Sequence, residues 1–219
     1  DLSYVDLAPF LAAVSDAWFV GLGESIHTSG GYYTLKTRLI RYLVEYAGFR
    51  NVAFESYWGK ARAVDEYLAS DCSGDADEAM TNLYWVWGDV TVRDLLEWLC
   101  AFNQAHPEDR VRFYGFDVQG PEWDYAEIVT FLADAAAADQ AGLLAAIDAC
   151  AKTFEAVSQV EYTACKQGMD TLNAYLQEHE SDLVAATSPD AYAWAVVAAT
   201  SFDHFQNEAF QLYTIDDFH

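Results

Sequence analysis

Three carboxylates stand at the ends of short apolar runs, where they could act together. Glu24 follows the run 17–22, Glu55 ends Ala-Phe-Glu, and Asp117 ends Tyr-Gly-Phe-Asp. In open parallel sheets, ligands bind beyond the carboxyl ends of the strands. Carboxylates that meet there need a cation, water or a raised pKa, an arrangement typical of active sites. We expect all three to be catalytic, although any one could instead cap the following helix.

His27 follows Glu24 by three residues, in the glycine-rich turn that should open the next helix. A neutral histidine with a carboxylate partner can serve as a general base that activates water. The alternative for His27 is a plain surface or capping role. Imidazole and carboxylates also bind divalent metals, so Glu24, His27 and Glu55 are candidate ligands. No cofactor is required by this pattern, and a divalent metal stays open.

Lys36, Arg38 and Trp58 are the candidate substrate-binding residues. Lys36 and Arg38 fall on the helix after His27, where they could balance the carboxylates or bind an anionic group. The alternative, favoured slightly for Arg38, is a solvated helix face with pairing between residues four apart.

A tryptophan cluster and two absent motifs bear on the class of ligand. The cluster has two readings, core packing or the wall of a pocket for a bulky apolar ligand; it consists of Trp85, Trp87 and Trp98. The turn after residue 20 has Ile26 where a dinucleotide-binding fingerprint needs its third glycine. The absence of a Gly-x-Ser-x-Gly sequence disfavours an ordinary serine hydrolase.

Short apolar runs alternate with helical patterns over the first half of the chain. Strands are predicted at 17–22, 51–54 and 111–116, and helices at 5–14, 32–46, 57–70 and, as a tryptophan-rich pair, 76–106. Such alternation predicts an α/β fold with a parallel sheet and helical crossovers. Gly48 and Pro107 supply helix stop signals.

The chain changes character after Pro121. Residues 123–213 are alanine-rich with helical periodicity, and we expect three or four helices there, the last starting at Pro189. We therefore divide the chain into an α/β core, 1–121, and a helical insertion subdomain, 122–219.

Composition narrows the classes of partner and compartment. The 219 residues are 53% hydrophobic, and 35 acidic against 11 basic residues give a net charge of −24. This charge repels nucleic acid and anionic membranes, and no apolar stretch is long enough to span a membrane. The chain starts at Asp1 without a methionine, and its cysteine count is even. Both features favour a clipped leader and an extracytoplasmic, periplasmic or secreted location over a cytoplasmic one.

Four cysteines allow three pairings of two disulfides, or four reduced thiols in the core. A Cys72–Cys100 bond would close a loop around a helical excursion. Cys150 and Cys165 would lie roughly 22 Å apart on one continuous helix. A bond between them, which needs Cα atoms within about 7 Å, therefore requires the chain to turn near Ser158.

An ordered set of segments resembles the erythromycin esterase family. The matching segments are Gly-Leu-Gly-Glu-Ser-Ile-His (21–27), Leu-Ile-Arg-Tyr-Leu-Val-Glu (39–45), Gly48-Phe49, Phe54-Glu55, Leu-Leu-Glu-Trp-Leu (95–99) with Asn103, and Phe-Tyr-Gly-Phe-Asp (113–117). The resemblance covers residues 17–120 and is weak over the helical remainder.

The resemblance implies hydrolysis of an ester by activated water, with a small-molecule ester or lactone as substrate. In resistance members of the family, the substrate is the macrolactone ring of macrolide antibiotics. By position, His27 matches the general base, Glu24 and Glu55 the conserved acids, and Asp117 the acid of the Gly-Phe-Asp segment. Two alternatives are a non-catalytic protein that binds metal, haem or a polyketide, and an enzyme acting on acylated polysaccharide.

Two positions depart from the family pattern. Gly31 stands where members often have glutamate, and Lys36 where they often have arginine. Lysine keeps the charge but lacks the planar fork that binds carboxylates in a bidentate manner. Members also continue into a second half that adds histidines and completes the sheet, so we expect this chain to be the N-terminal half of a larger fold.

Overall fold

The computed structural model describes residues 4–153 and 156–213. In chain order its helices are α1 (Ala8–Val14), α2 (Gly30–Ala47), α3 (Trp58–Ala69), α4 (Ala76–Met80), α5 (Val90–Ala105), α6 (Pro121–Asp134), α7 (Gln140–Ala146), α8 (Gln159–Glu178), α9 (Glu180–Ala186) and α10 (Pro189–Tyr213). Short 3-10 helices lie at Val5–Leu7 and Trp85–Trp87, and the strands are β1 (Asn51–Tyr57) and β2 (Arg112–Asp117).

The elements that frame the predicted site form where their sequence signals lie. Helix α2 ends at Gly48, whose φ of 73° is left-handed and whose N–H donates to the Leu43 carbonyl. Glycine adopts this conformation without the steric cost that a Cβ brings. In β1, Val52, Phe54 and Ser56 are buried while alternate residues are exposed, because successive side chains of a strand point to opposite faces.

The first predicted strand does not form. Within the described residues, β1 and β2 make a two-stranded parallel sheet, and residues 17–22 are irregular. Leu22 packs against the core, but Trp18 and Phe19 are 93% and 73% exposed. An apolar run indicates burial without specifying a pairing partner, so the prediction of a strand here was wrong.

The chain divides into two compact units. Unit 1 comprises Asp1–Ser56 and Lys60–Phe116, and unit 2 comprises Tyr57–Gly59 and Asp117–His219. Strands β1 and β2 and helix α3 therefore each contribute residues to both units. We expected a single boundary after residue 121. The observed division instead places residues 57–59 and 117–121 in unit 2.

The core of unit 1 packs both strands against helices α2, α3 and α5. The Phe54 ring lies 4.7 Å from Trp87 and 5.2 Å from Phe113, measured between centroids, and Phe113 is fully buried. The Asn103 amide donates to the Val111 carbonyl and accepts from the Val111 N–H at 2.6 Å, a pairing that holds α5 beside β2.

Unit 2 is helical, with five helices in the part of the chain that the structure describes, where three or four were expected. Helix α8 starts after Ser158, whose side chain forms a capping box with Glu161. Gly168 lies directly under α7, since a Cβ there would sit 1.9 Å from the Ala146 carbonyl oxygen. The Gln206 side chain accepts from the Ala151 N–H at 2.8 Å and donates to the Ala151 carbonyl at 2.9 Å.

All four cysteines form disulfides. Cys72 pairs with Cys100, with Cα atoms 5.9 Å apart, and Cys150 pairs with Cys165 at 4.7 Å. The second bond can form because α7 ends at Ala146 and a separate helix, α8, begins at Gln159 and packs against α7. None of the helices in the described ranges is both long and apolar enough to cross a membrane.

Candidate functional site

Glu24 joins His27 and Lys36 in a compact charged cluster in unit 1. The Glu24 Oε1 atom lies 2.6 Å from His27 Nδ1, and Oε2 lies 2.6 Å from Lys36 Nζ. Glu24 and His27 come from the irregular segment before α2, and Lys36 lies on that helix. The side chains of Glu24 and Lys36 are 8% and 13% exposed, whereas that of His27 is 53% exposed. The cluster therefore presents its imidazole to solvent on a largely buried ion pair.

The electrostatics of the cluster fix the tautomer of His27. Burial raises the pKa of Glu24, but the hydrogen bonds from Lys36 and His27 together outweigh it and bring that pKa below its usual value. The ionised carboxylate can only accept a hydrogen bond, so Nδ1 of His27 must donate. Nε2 of a neutral His27 then carries the lone pair, and it forms no hydrogen bond with any described residue.

The backbone next to His27 is held in an unusual conformation. Thr28 has a φ of 62°, in a region that costs a β-branched residue steric strain. Its N–H donates to the Tyr33 hydroxyl at 2.9 Å, and that hydroxyl, on a buried side chain, donates to the Val86 carbonyl. The hydroxyl groups of Ser25 and Tyr32 form a further hydrogen bond at 2.7 Å. The turn that presents His27 is thus fixed by α2 and by the 3-10 helix Trp85–Trp87.

Trp87 connects the cluster to the sheet. The Lys36 Nζ atom lies 5.2 Å from the centre of the Trp87 ring, a cation–π distance. The Trp87 indole N–H donates to the Glu55 carbonyl at 2.8 Å. The Lys36 ammonium group therefore lies between the Glu24 carboxylate and the Trp87 ring, and that ring is hydrogen-bonded to β1.

Glu55 and Arg38 lie outside this cluster. Glu55 is on the exposed face of β1, and its carboxylate has no hydrogen bond or ion pair among the described residues. Arg38 binds Asp6 at 2.7 Å and lies 5.7 Å above the Tyr4 ring. The Glu24 charge is balanced by Lys36 and not by Arg38, and the substrate-binding role of Arg38 stays a prediction.

Two further predicted residues belong to unit 2. The Asp117 Oδ1 atom accepts from the Gln119 N–H at 2.9 Å, as an acid at a turn before a helix does. The Trp58 ring packs 4.9 Å from that of Trp194, at the edge of the unit 2 core. Local contacts explain the positions of both side chains. The catalytic role of Asp117 and the substrate-binding role of Trp58 stay predictions.

The interpretation of Glu24, His27 and Glu55 as possible metal ligands stays a prediction. Within residues 4–153 and 156–213, no three histidine, cysteine or acidic side chains are grouped as a metal site requires. Both Glu24 oxygens bind nitrogen atoms of His27 and Lys36. Glu24, His27 and Glu55 therefore do not form a three-ligand set in this arrangement.

A second titratable group, which the sequence did not reveal, lies in unit 2. Asp124, in the first turn of α6, is 1% exposed. Burial raises its pKa to about 7, with a smaller rise from Glu122 and Glu127, and the Ser201 hydroxyl and the Gly59 amide oppose the rise. Neither carboxyl oxygen has a hydrogen bond of normal geometry with a described residue. An acid at a helix start is ordinarily favourable, so nothing in the sequence distinguishes it.

Tyr33 and Trp87 are the positioning residues that the sequence analysis missed. Trp87 was interpreted within the tryptophan cluster, and its 5% exposure confirms the packing alternative. Tyr33 carried no signal beyond its place near the start of α2, and its role depends on a contact with Val86, fifty-three residues away.

The chain is mainly helical with a small parallel sheet, and it carries a Glu–His pair in the segment that leads into helix α2. The family model for erythromycin esterase matches residues 44–214, and the chain belongs to that family. Glu55 and Asp117 fall within the matched region, whereas Glu24, His27 and Lys36 precede it.

Two curated relatives agree with this assignment. An erythromycin esterase type II from Escherichia coli is 26% identical over 118 residues, 54% of this chain and 27% of the relative. A putative hydrolase, YbfO, from Bacillus subtilis (strain 168) is 32% identical over 100 residues, 46% of this chain and 22% of the relative. The matches thus span about a quarter of each relative.

Three solved structures share the fold. A Bacillus cereus protein has a TM-score of 0.75 at 28% identity, and a succinoglycan biosynthesis protein has 0.72 at 21%. An erythromycin esterase mutant of EreC in its open conformation has a TM-score of 0.66 at 19% identity. Each comparison covers 94% of this chain and 51–53% of the other, so the chain spans about half the length of these proteins.

Proposed function

We propose that the Glu24–His27–Lys36 cluster hydrolyses a carboxylic ester or macrolactone by activating water at His27. One observation carries this proposal: the Glu24 carboxylate accepts from Nδ1 of His27, which leaves Nε2 as the proton acceptor of a side chain that is 53% exposed. Family membership supports the hydrolase class, and the geometry supplies a base with the correct tautomer.

The proposed reaction follows from that tautomer. Nε2 of His27 removes a proton from water as the water oxygen attacks the ester carbonyl carbon. The imidazolium formed is stabilised by the ionised Glu24, in the way that a carboxylate orients and stabilises histidine in serine hydrolases. When the carbon–oxygen bond to the alcohol breaks, Nε2 returns its proton to the departing oxygen. The products are a carboxylic acid and an alcohol, and His27 is again neutral.

Lys36 keeps Glu24 in the form that this mechanism needs. It stands where family members often have arginine, and it makes a single short contact with one carboxylate oxygen. A protonated Glu24 would lose most of its power to stabilise the imidazolium, so Lys36 widens the pH range in which Glu24 works.

Glu55 and Asp117 are proposed as supporting acids, because both lie in the matched family region, Glu55 near the carboxyl end of β1 and Asp117 at the last residue of β2. The mechanism includes no step through a metal ion, because both Glu24 oxygens are already bound to nitrogen atoms. We further propose an extracytoplasmic location, which the two disulfides support, since such bonds persist in oxidising compartments.

The test is hydrolysis of a panel of esters and lactones, macrolides included, by the purified protein and by His27→Ala. We expect the substitution to reduce kcat by about 100-fold or more while the fold is kept, a typical loss for a general base. His106→Ala is the matched control, because His106 is also an exposed histidine of unit 1, stacked on Phe102. Full activity of His27→Ala would refute the proposal.

A parallel series with EDTA separates two mechanisms. Turnover that EDTA leaves unchanged agrees with water activated by His27 alone. Turnover that EDTA abolishes and one added metal restores would contradict the proposed step and make Glu24 and His27 metal ligands after rearrangement.

A further inference from the structure

Trp85 differs from the other residues of the tryptophan cluster. Its side chain is 81% exposed, whereas Trp87, two residues away, is 5% exposed. Trp98 is partly buried against the core and lies under the guanidinium of Arg41 at 5.4 Å. Packing therefore accounts for two members of the cluster and leaves Trp85 unexplained.

Trp85 lines a cavity of about 300 Å³ in unit 1 that is broadly open to solvent. Its walls are mainly apolar, and they are formed by Met80, Leu83, Tyr84, Trp85 and Gly88, with Asp77 and Thr81. This volume is at the small end of the range for small-molecule sites, which are mostly hydrophobic and aromatic with few polar groups. The lining includes an acid and no basic residue, so it suits an uncharged hydrophobic group and not an anion.

The cavity wall is braced on the elements that carry the Glu24 cluster. The Tyr84 N–H donates to the buried Ser56 hydroxyl at 2.9 Å, next to Glu55 on β1. The Val86 carbonyl accepts from Tyr33, and Trp87 lies under Lys36 at 5.2 Å. One turn of 3-10 helix thus presents Trp87 to the charged cluster and Trp85 to the cavity.

We propose that this cavity binds the uncharged hydrophobic group of the ester substrate, with the Trp85 ring as its contact surface. The identification of the ligand as part of a substrate rests on the proposed function. The binding of a hydrophobic ring does not, because it follows from the lining alone. An exposed indole beside a methionine and a leucine gains apolar contact area when such a ring enters.

The test is calorimetric titration of the purified protein with 2-naphthol, an uncharged bicyclic probe that cannot be hydrolysed. We expect Trp85→Ala to weaken binding at least tenfold and Trp85→Phe to weaken it less, because phenylalanine keeps an aromatic face. Trp18→Ala is the matched control: Trp18 is 93% exposed in the same unit, is not among the cavity residues, and should leave binding unchanged. Thermal unfolding by circular dichroism checks that each variant is folded.

A second arm compares 2-naphthyl acetate with methyl acetate as substrates. Trp85→Ala should raise KM about tenfold for the naphthyl ester and leave kcat and the methyl ester unaffected. Naphthol binding that depends on Trp85, without turnover of either ester, would keep the cavity proposal and refute the hydrolase proposal. Equal binding by wild type and Trp85→Ala, an equal loss in Trp18→Ala, or no binding of 2-naphthol would overturn the cavity proposal.

Discussion

Replacing Asp124 with asparagine should stabilise unit 2 at neutral and alkaline pH. The Asp124 carboxyl is 1% exposed and has no hydrogen bond of normal geometry among the described residues. Ionising such a group costs free energy, because burial removes the hydration that stabilises the charged form. Asparagine has nearly the same shape and never carries the charge.

The magnitude follows from the two pKa values. The pKa of Asp124 is about 7 in the folded protein against 3.8 for an ordinary aspartate. A carboxyl whose folded pKa is raised binds more protons in the folded state, so stability falls as pH rises between the two values. At 1.36 kcal/mol per unit, the full cost above pH 7 is at most about 4 kcal/mol. The advantage of Asp124→Asn should be near zero at pH 4 and reach that limit near pH 8.

The assay is urea unfolding from pH 4 to 8, followed by circular dichroism, with hydrogen exchange of α6 amides as a local measure of unit 2. Asp134→Asn is the control, because Asp134 is exposed on the same helix and its replacement removes one charge from the same net −24. If both variants gained equally at pH 8, relief of overall repulsion would explain the effect. If the free energy of unfolding of the wild type rose relative to that of Asp124→Asn as pH increased, the reasoning would be wrong.

Three further predictions concern the charged cluster and the helices of unit 2. Lys36→Gln removes a hydrogen bond that lowers the pKa of Glu24, so the acidic limb of the pH–rate profile should move to higher pH, whereas Lys36→Arg should restore it. Gly168→Ala should destabilise the fold by about 2 kcal/mol or more in thermal unfolding, because its Cβ would lie 1.9 Å from a backbone carbonyl of α7. Removing both Cys150 and Cys165 should cost about 3 kcal/mol in urea unfolding, the value expected for a loop of fifteen residues, and a reductant should then have no further effect at that site.

Much of the architecture could be predicted because its signals are local. Gly48 stops α2 where a left-handed residue is needed, and the alternation in 51–57 produces a strand with one buried face. Ser158 caps the start of α8, so Cys150 and Cys165 do not share one continuous helix, as their spacing required if they were to pair. In each case a few neighbouring residues carry the information.

The rest depends on partners that are distant in sequence. Residues 17–22 have the composition of a strand, but pairing requires a neighbour, and composition does not specify one. Glu24 and His27 were identified from their spacing, whereas the choice of Lys36 over Arg38 as the partner of Glu24 depends on how α2 turns beside Trp87. The burial of Asp124 depends on the packing of α10 against α6, which brings Ser201, seventy-seven residues further along the chain, close to its carboxyl group.

The pairing of Gln206 with Ala151 gives residues 150 and 151 a second restraint beside the disulfide. The side-chain amide copies the donor and acceptor pattern of a neighbouring strand, so it holds the backbone at residue 151 to α10 without any covalent bond. The adjacent Cys150 is fixed covalently to Cys165. Reduction alone should therefore leave residue 151 docked, and release of the segment should need a second, separate event. We expect a mild reductant to populate a state in which the Cys150–Cys165 bond is broken while Gln206 still pairs with Ala151. Gln206→Ala should destabilise that state.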